Sequence, residues 1–150
     1  MSPAGAGGPR SRFAAASTAT LATVRPGGAP HLVPVTFALL PDWGAAGDAD
    51  AVVFAVDSKP KSTMHLQRLR NVGAEPRVSF LVDRYDDDWT QLWWVRADGV
   101  ARVLDDRTDA DARDTALDAL AAKYRQYREV RPAGPVVSTT ITRWAEWMYR

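Results

Sequence analysis

The sequence lacks cysteine altogether and has only two histidines among its 150 residues. The absence of thiols excludes disulfides, cysteine nucleophiles and zinc–thiolate sites, and two histidines are too few for a dedicated metal cluster. We therefore expect neither a thiol-dependent enzyme nor a metalloenzyme, and we predict no metal-binding residue.

An excess of charge of one sign is also missing. The 19 basic and 18 acidic residues leave a formal net charge of +1, which provides no long-range field for nucleic acid or a membrane surface. No stretch reaches the roughly 18 apolar residues of a membrane span. The apolar run Phe13–Val24 is interrupted by a serine and three threonines, so we expect no cleaved export signal there. These features favour a cytoplasmic protein without a nucleic-acid or membrane partner.

Residues 1–10 are rich in glycine, proline and alanine. Because they have little apolar surface to bury, we predict a disordered N-terminal tail. Residues 11–150 show neither an internal repeat nor a linker, and they are predicted to form a single domain.

Six apolar runs with strand-like composition follow the tail, and two main helical segments lie between them. The predicted strands are Ala19–Val24, His31–Leu40, Ala51–Val56, Arg77–Val82, Gln91–Leu104 and Val136–Met148, and the helices are one after Ser62 and one over Asp105–Lys123. Since no βαβ unit repeats, we predict an α+β fold built on a six-stranded antiparallel barrel. Pro34 is expected on an edge or a bulge, or beside a ligand, and Gly99 at a bulge or bend.

The segment Asp57–Ser62 joins a strand end to a helix start and carries two serines and two lysines. Cations in the first turn of a helix oppose its dipole, so a bound anion is expected to compensate them. Backbone N–H groups, hydroxyls and ammonium groups at such a turn can hold a phosphate. The candidate residues are Ser58, Lys59, Pro60, Lys61 and Ser62. The alternative is an ordinary serine cap followed by solvated lysines. Arg77 either reaches the same anion or is simply exposed.

The sequence has six tryptophans, four of them in two pairs on predicted strands. Trp93 and Trp94 are adjacent, so strand alternation directs them to opposite faces of the sheet. Trp144 and Trp147 lie three apart on the last strand. Core packing accounts for part of this set, and a dimer interface that holds an aromatic cofactor would account for all four.

Four blocks of sequence, in their order and spacing, resemble the pyridoxamine-phosphate-oxidase-like split-barrel family. The blocks are Leu21–Val35, Lys61 with the helix after it, Pro76–Val82 and Val95–Gly99. Within that family the chain is most similar to the branch of small actinobacterial proteins that use the deazaflavin coenzyme F420.

The resemblance implies a six-stranded split barrel that forms a homodimer and binds a flavin-type ring between its subunits. The segment beside the ring would be Val33, Pro34, Val35 and Thr36, with Ala55 and Val56 at the end of the third strand. Lys61 matches the basic residue that holds the cofactor phosphate, and Ser58, Lys59 and Pro60 lie in the same turn. Trp94 occupies the position of a glutamine that the members using flavin mononucleotide (FMN) contribute across the dimer.

Two departures from the oxidases of the family bear on the cofactor. Those oxidases carry basic residues where this chain has Val33 and Ala38. In the oxidases, these two basic residues help to hold the flavin or its phosphate. Their C-terminal Arg-x-His, which binds pyridoxal phosphate, is also missing, since the last strand here ends Arg143-Trp144-Ala145-Glu146-Trp147. Oxidation of vitamin B6 is therefore not expected.

The resemblance implies an F420-dependent oxidoreductase, a reductase that transfers a hydride between the deazaflavin and an unidentified small organic substrate. The cofactor supplies the difficult chemistry, and no catalytic side chain is identified. Two alternatives stay open. One is an FMN-dependent reductase or oxidase on the same fold, and the other is a non-catalytic protein that binds or carries F420.

Overall fold

The structure, a computed structural model, describes residues 8–43, 47–56 and 63–150. Its strands are β1 (Ala19–Val24), β2 (Pro30–Val35), β3 (Ala38–Leu40), β4 (Ala51–Ala55), β5 (Arg77–Arg84), β6 (Trp93–Leu104) and β7 (Val136–Met148). The helices in these ranges are α1 (Gly8–Ala15), α2 (Thr63–Ala74), α3 (Ala110–Lys123) and α4 (Arg125–Glu129). The α+β class with an antiparallel sheet is thus confirmed.

All strands join one antiparallel sheet in the order β2-β1-β5-β6-β7-β4-β3. The two edge strands, β2 and β3, follow each other directly in the sequence. Because the first and the last strand of the order are thus joined, the sheet coils into a split barrel. Pro34 lies on edge strand β2, which confirms one of the places predicted for it.

Within the described ranges the sheet has seven strands, so the predicted count of six is not confirmed. The predicted strand His31–Leu40 is interrupted at Thr36 and Phe37. The backbone N–H of Phe37 donates to the hydroxyl of Tyr124 at 3.1 Å, and the same hydroxyl lies 3.1 Å from the Phe37 carbonyl. The Tyr124 hydroxyl therefore takes the place of a neighbouring strand as hydrogen-bond partner of the Phe37 backbone, and the ladder of hydrogen bonds between strands stops at this residue.

The barrel interior is filled by aromatic and aliphatic side chains. Phe13 of α1 is fully buried and stacks against Phe37 and Trp144, with ring centroids 4.8 and 5.2 Å apart. A second apolar cluster lies where α3 packs on β3 and β4, centred on Leu117 and Leu120. Helices α1 and α3 therefore cover different parts of the sheet and leave the outer face of β2, β1, β5 and β6 to other contacts.

Two boundaries differ from the prediction, namely the end of the N-terminal tail and the start of the helix predicted over Asp105–Lys123. Helix α1 begins at Gly8, and Arg10 forms an ion pair with the buried Asp50 at 2.9 Å, so residues 8–10 belong to the folded part; residues 1–7 lie outside the described residues. Helix α3 begins at Ala110 and not at Asp105, because an Asp105 carboxylate oxygen accepts the N–H of Arg107 at 2.7 Å and forms a turn first.

Strand β6 contains an irregularity between Asp98 and Gly99, where its register with β7 shifts. This confirms the bulge predicted at Gly99. A Cβ atom on Gly99 would lie 2.3 Å from the carbonyl oxygen of Thr140. Only glycine allows the two backbones to approach this closely.

In the described ranges, none of the helices has both the length and the apolar character that crossing a membrane requires.

Candidate cofactor-binding site

The segment that the resemblance places beside a cofactor ring lies at the edge of the sheet. Val33 and Val35 point into the core, Pro34 is exposed and Thr36 is half-buried. Ala38 pairs with Val53, and Thr36 and Ala55 each lie two residues beyond that pair, at the same end of the β3–β4 ladder. The fold therefore places two of the predicted contact segments at one corner of the barrel.

Ala55 and Val56 end the strand that leads into the predicted anion-binding turn. Val56 is buried, and its N–H donates to the carbonyl of Pro135 at 2.8 Å, which fixes the end of β4 against the start of β7. The predicted turn itself, with Ser58, Lys59, Pro60, Lys61 and Ser62, lies outside the described residues. The anion site stays a prediction.

Arg77 is exposed on the outer face and is engaged by its neighbour Glu75. Its guanidinium donates to both carboxylate oxygens of Glu75, at 2.6 and 3.1 Å. These hydrogen bonds hold the pKa of Glu75 at about 2. Arg77 is thus exposed and has an ion-pair partner, and a contact between Arg77 and an anion at the predicted turn stays a prediction.

Trp94 lines a groove of about 400 Å³ on the outer face of the sheet. Leu32, Leu81 and Tyr85 line the same groove and are exposed. The Arg96 guanidinium lies 5.9 Å from the centroid of the Trp94 ring. The groove thus combines apolar walls with a cation, Arg96, and a carboxylate, Asp83, an arrangement that suits a flat ligand or a partner chain.

The four tryptophans divide between the two faces of the sheet. Trp93 and Trp144 pack against the interior cluster, and the Trp144 indole N–H donates to Asp50 at 3.2 Å. Trp94 lies on the outer face opposite Trp147, which is 41% exposed. The prediction that Trp93 and Trp94 occupy opposite faces is confirmed.

Trp94 and Ala55 are far apart within one chain. Ala55 pairs with Val136, and Val136 pairs with Leu104 at the far end of β6. Trp94 lies ten residues before Leu104 on that strand, which corresponds to about 33 Å of strand. One chain alone therefore does not bring all the predicted contact residues into a single cavity.

A network of polar side chains borders the outer groove. Asp98 accepts hydrogen bonds from Ser79 at 2.7 Å and from Arg96 at 2.9 and 3.2 Å. Burial tends to raise the pKa of Asp98, but the bonds from Ser79 and Arg96 outweigh it, so the pKa lies below its ordinary value. The outer face thus carries an ionised carboxylate that is already paired.

A larger cleft, of about 630 Å³, opens beside Thr36 and was missed by the sequence analysis. Lys123, Tyr124 and Tyr127 line it, and the hydroxyls of Thr36 and Tyr127 are 2.8 Å apart. Burial lowers the pKa of Lys123 to about 8. In the sequence, Lys123 is distinguished only as a cation at the end of a predicted helix. Solvated lysines are common at such positions, so nothing in the sequence indicates a site there.

The sequence pattern of the pyridoxamine 5'-phosphate oxidase family matches residues 10–148. The chain belongs to this family. The resemblance stated from the sequence is therefore confirmed at the level of the family. No curated protein matches the chain.

Solved structures of this split-barrel type resemble the chain over most of its length. A conserved hypothetical protein of Mycobacterium tuberculosis is 23% identical, with a TM-score of 0.69, and the match covers 100% of this chain and 86% of that one. An FAD-binding protein of Mesorhizobium loti is 18% identical, with a TM-score of 0.65 and coverage of 97% and 94%. A heme-binding protein of Mycobacterium smegmatis is 24% identical, with a TM-score of 0.59 and coverage of 99% and 59%. At these identities the likeness establishes the fold alone.

Proposed function

We propose that this member of the pyridoxamine 5'-phosphate oxidase family is a homodimeric oxidoreductase that binds coenzyme F420 and transfers a hydride to or from a small organic substrate. The observation that carries the proposal is the apolar outer face with Trp94 and Trp147, next to an edge strand that is free on one side. The family and the FAD-binding relative in fold support a flavin-type cofactor.

The edge of β2 fits a heterocyclic ring. In the sheet order β2 has β1 as its one neighbour, so the backbone polar groups on its other side are not used by the ladder. Such groups must find partners when they are buried, and the ring nitrogens and carbonyls of a flavin or deazaflavin can supply them. Pro34 lacks an N–H, so only its carbonyl can take part there.

In this arrangement the coenzyme supplies the hydride chemistry, and the protein binds, orients and excludes water. Pro34 and Thr36 of one chain would lie along the ring. Trp94 would come from the second chain, because about 33 Å of strand separates it from the level of Ala55. A homodimer is thus required for a complete site.

Two buried residues favour the deazaflavin over FMN. Val33 and Ala38, where the oxidases of the family carry basic residues, are only 7% and 4% exposed and belong to the two apolar clusters. A basic side chain could not replace them without burying a charge. FMN remains the second candidate cofactor because of the FAD-binding relative in fold.

A binding protein without turnover is the second candidate function. The heme-binding relative in fold supports it, since that protein binds a large flat cofactor on the same type of barrel. An acceptor screen separates the two functions, because a carrier would bind F420 without oxidising its reduced form in the presence of any acceptor.

Titration of the protein with F420 and with FMN, followed by fluorescence, tests the cofactor assignment. We expect F420 to bind more tightly than FMN. The affinity of Lys61→Ala for F420 should be ten- to a hundredfold lower than that of wild type, about the effect of losing one charge-assisted contact. Lys59→Ala should have a smaller effect. Arg84→Ala is the matched control, because Arg84 is exposed and faces Asp86 at 3.7 Å. Tighter FMN binding would reject the coenzyme, and wild-type affinity in Lys61→Ala would reject the anion site.

A further inference from the structure

The cleft beside Thr36 lies between the start of β1 and the junction of α3 and α4. Its described lining residues are Ala15, Ser17, Thr18, Thr36, Lys123, Tyr124, Gln126 and Tyr127. None of these side chains is acidic. The described lining therefore contains one cationic side chain, several hydroxyls and aromatic walls, and it adjoins the segment that the proposed function places along the cofactor ring.

The ammonium of Lys123 has no hydrogen-bond partner among the residues that the structure describes, although its Nζ atom is buried. It lies 3.8 Å from the centroid of the Phe37 ring and 5.3 Å from that of Tyr124. An aromatic face attracts a cation but accepts no ordinary hydrogen bond from its three N–H donors. A buried cation without an opposite charge is costly to the fold, so a ligand that supplies this charge would bind favourably.

Of the hydroxyls of Tyr124, Thr36 and Tyr127, which line the cleft with Lys123, one proton is left for a ligand. Tyr124 accepts the N–H of Phe37 at 3.1 Å, and its own proton is directed to the carbonyl of Ser17 at 2.8 Å. Thr36 and Tyr127 are joined by one hydrogen bond of 2.8 Å. That bond uses one of their two protons, and the other is available to an oxygen atom in the cleft.

Among the described residues that line the cleft, the ammonium of Lys123 is the one cation, and it balances one negative charge. The nearby guanidinium of Arg128 is already bound to the carbonyls of Ala121 and Ala122, at 2.8 and 3.2 Å. A phosphate dianion would keep about one charge uncompensated, whereas a carboxylate would be neutralised and has two oxygens for the two kinds of donor. The rings of Tyr124 and Tyr127, 5.6 Å apart and nearly perpendicular, offer apolar surface to the rest of such a ligand.

We propose that this cleft is a binding site for a small aromatic or apolar monocarboxylate, whose oxygens bind the Lys123 ammonium and the hydroxyl pair of Thr36 and Tyr127. The site itself follows from the cleft alone. Its assignment as the place where the substrate binds rests on the proposed function, because it is Thr36 that links the cleft to the segment beside the ring.

Calorimetric titration of the cofactor-free full chain with benzoate tests the site, with benzamide as the uncharged analogue of the same shape. We expect benzoate to bind and benzamide to bind at least tenfold more weakly. Lys123→Met should weaken benzoate binding ten- to a hundredfold, the range of one charge-assisted contact. Arg125→Met is the matched control, since it removes one exposed cation that pairs with Glu129 just beyond the same helix.

Equal affinity for benzoate and benzamide, or for benzoate in wild type and Lys123→Met, would overturn the proposal. Tighter binding of inorganic phosphate than of benzoate would overturn the choice of a carboxylate. Thr36→Val provides a second variant that keeps the ammonium, and it should weaken benzoate binding while benzamide binding is unchanged. Benzoate binding together with no F420 binding would retain this site and reject the proposed function.

Discussion

The buried ammonium of Lys123 also leads to a prediction about stability, because it lowers the free energy of unfolding. Burial lowers the pKa of Lys123 from 10.5 in the unfolded chain to about 8. The folded state therefore holds this proton less tightly, and its cost is fully present below about pH 8. The cost disappears as the pH rises from about 8 towards 10.5, so this group makes the protein more stable over that interval.

Lys123→Met should accordingly stabilise the protein at pH 7. The side chain is partly exposed although its Nζ atom is buried, and it faces the Phe37 ring, so solvent screening and the ring reduce the gain to roughly 1 kcal/mol or less. Urea unfolding of wild type and Lys123→Met at pH 7 and pH 10 measures it. The difference between the two proteins should shrink at pH 10. A variant that is less stable than wild type at pH 7 would contradict an uncompensated buried charge.

At the scale of secondary structure, the sequence predicts the elements best where local pattern alone decides them. The bounds of β1 and β7 agree with the prediction, since both are β-rich runs bounded by turn residues. The break between β2 and β3 could not be predicted, because it depends on the Tyr124 hydroxyl, 87 residues away in the sequence. The late start of α3 depends on side-chain hydrogen bonds in an Asp-rich turn that resembles a helix start.

The bulge in β6 allows a test of close packing between strands. Gly99→Ala would place a methyl group 2.3 Å from a backbone oxygen of Thr140 and 2.8 Å from a methyl of Thr139. Since a backbone atom cannot yield as a side chain can, we expect a loss of about 1–3 kcal/mol in the free energy of unfolding, measured in urea.

Gly73→Ala is the matched control for the bulge. Gly73 lies in α2, is exposed, and has no heavy atom within 4 Å of where a Cβ would be. Alanine favours a helix over glycine by roughly 0.5–1 kcal/mol, so this variant should be as stable as wild type or more so. If Gly99→Ala behaves in the same way, β6 and β7 do not approach as closely as the structure indicates.

At the scale of the whole molecule, the candidate site could be predicted only in pieces. Thr36 and Ala55 lie beyond the same end of the β3–β4 ladder, but Trp94 lies far along the sheet. The cleft with Lys123 comes from the end of α3, which belongs to none of the sequence blocks that carry the resemblance. Sequence blocks identify the strands of a barrel, whereas a cleft depends on where a distant helix ends.

The outer face of the barrel makes the last prediction, that the protein is a homodimer. Leu32 and Leu81 are 64% and 38% exposed on the same face as Trp94 and Trp147. Exposed apolar groups that cluster in this way mark an interface, and obligate dimers commonly bury about 2,000 Å² or more. Light scattering at micromolar concentration should give the mass of two chains.

Leu81→Asp should convert the dimer into a folded monomer, because it places a charge within the apolar part of the outer face, beside the groove that holds Trp94. If the second chain completes the site, the same variant should bind F420 at least tenfold more weakly. Val130→Asp is the control, since Val130 is also an exposed apolar residue, at 74% against 38% for Leu81, but follows α4. If light scattering shows that wild type is a monomer, the proposal of a site shared between two chains is rejected. A Leu81→Asp monomer with undiminished affinity would instead place the whole coenzyme on one chain, at the corner formed by Thr36 and Ala55.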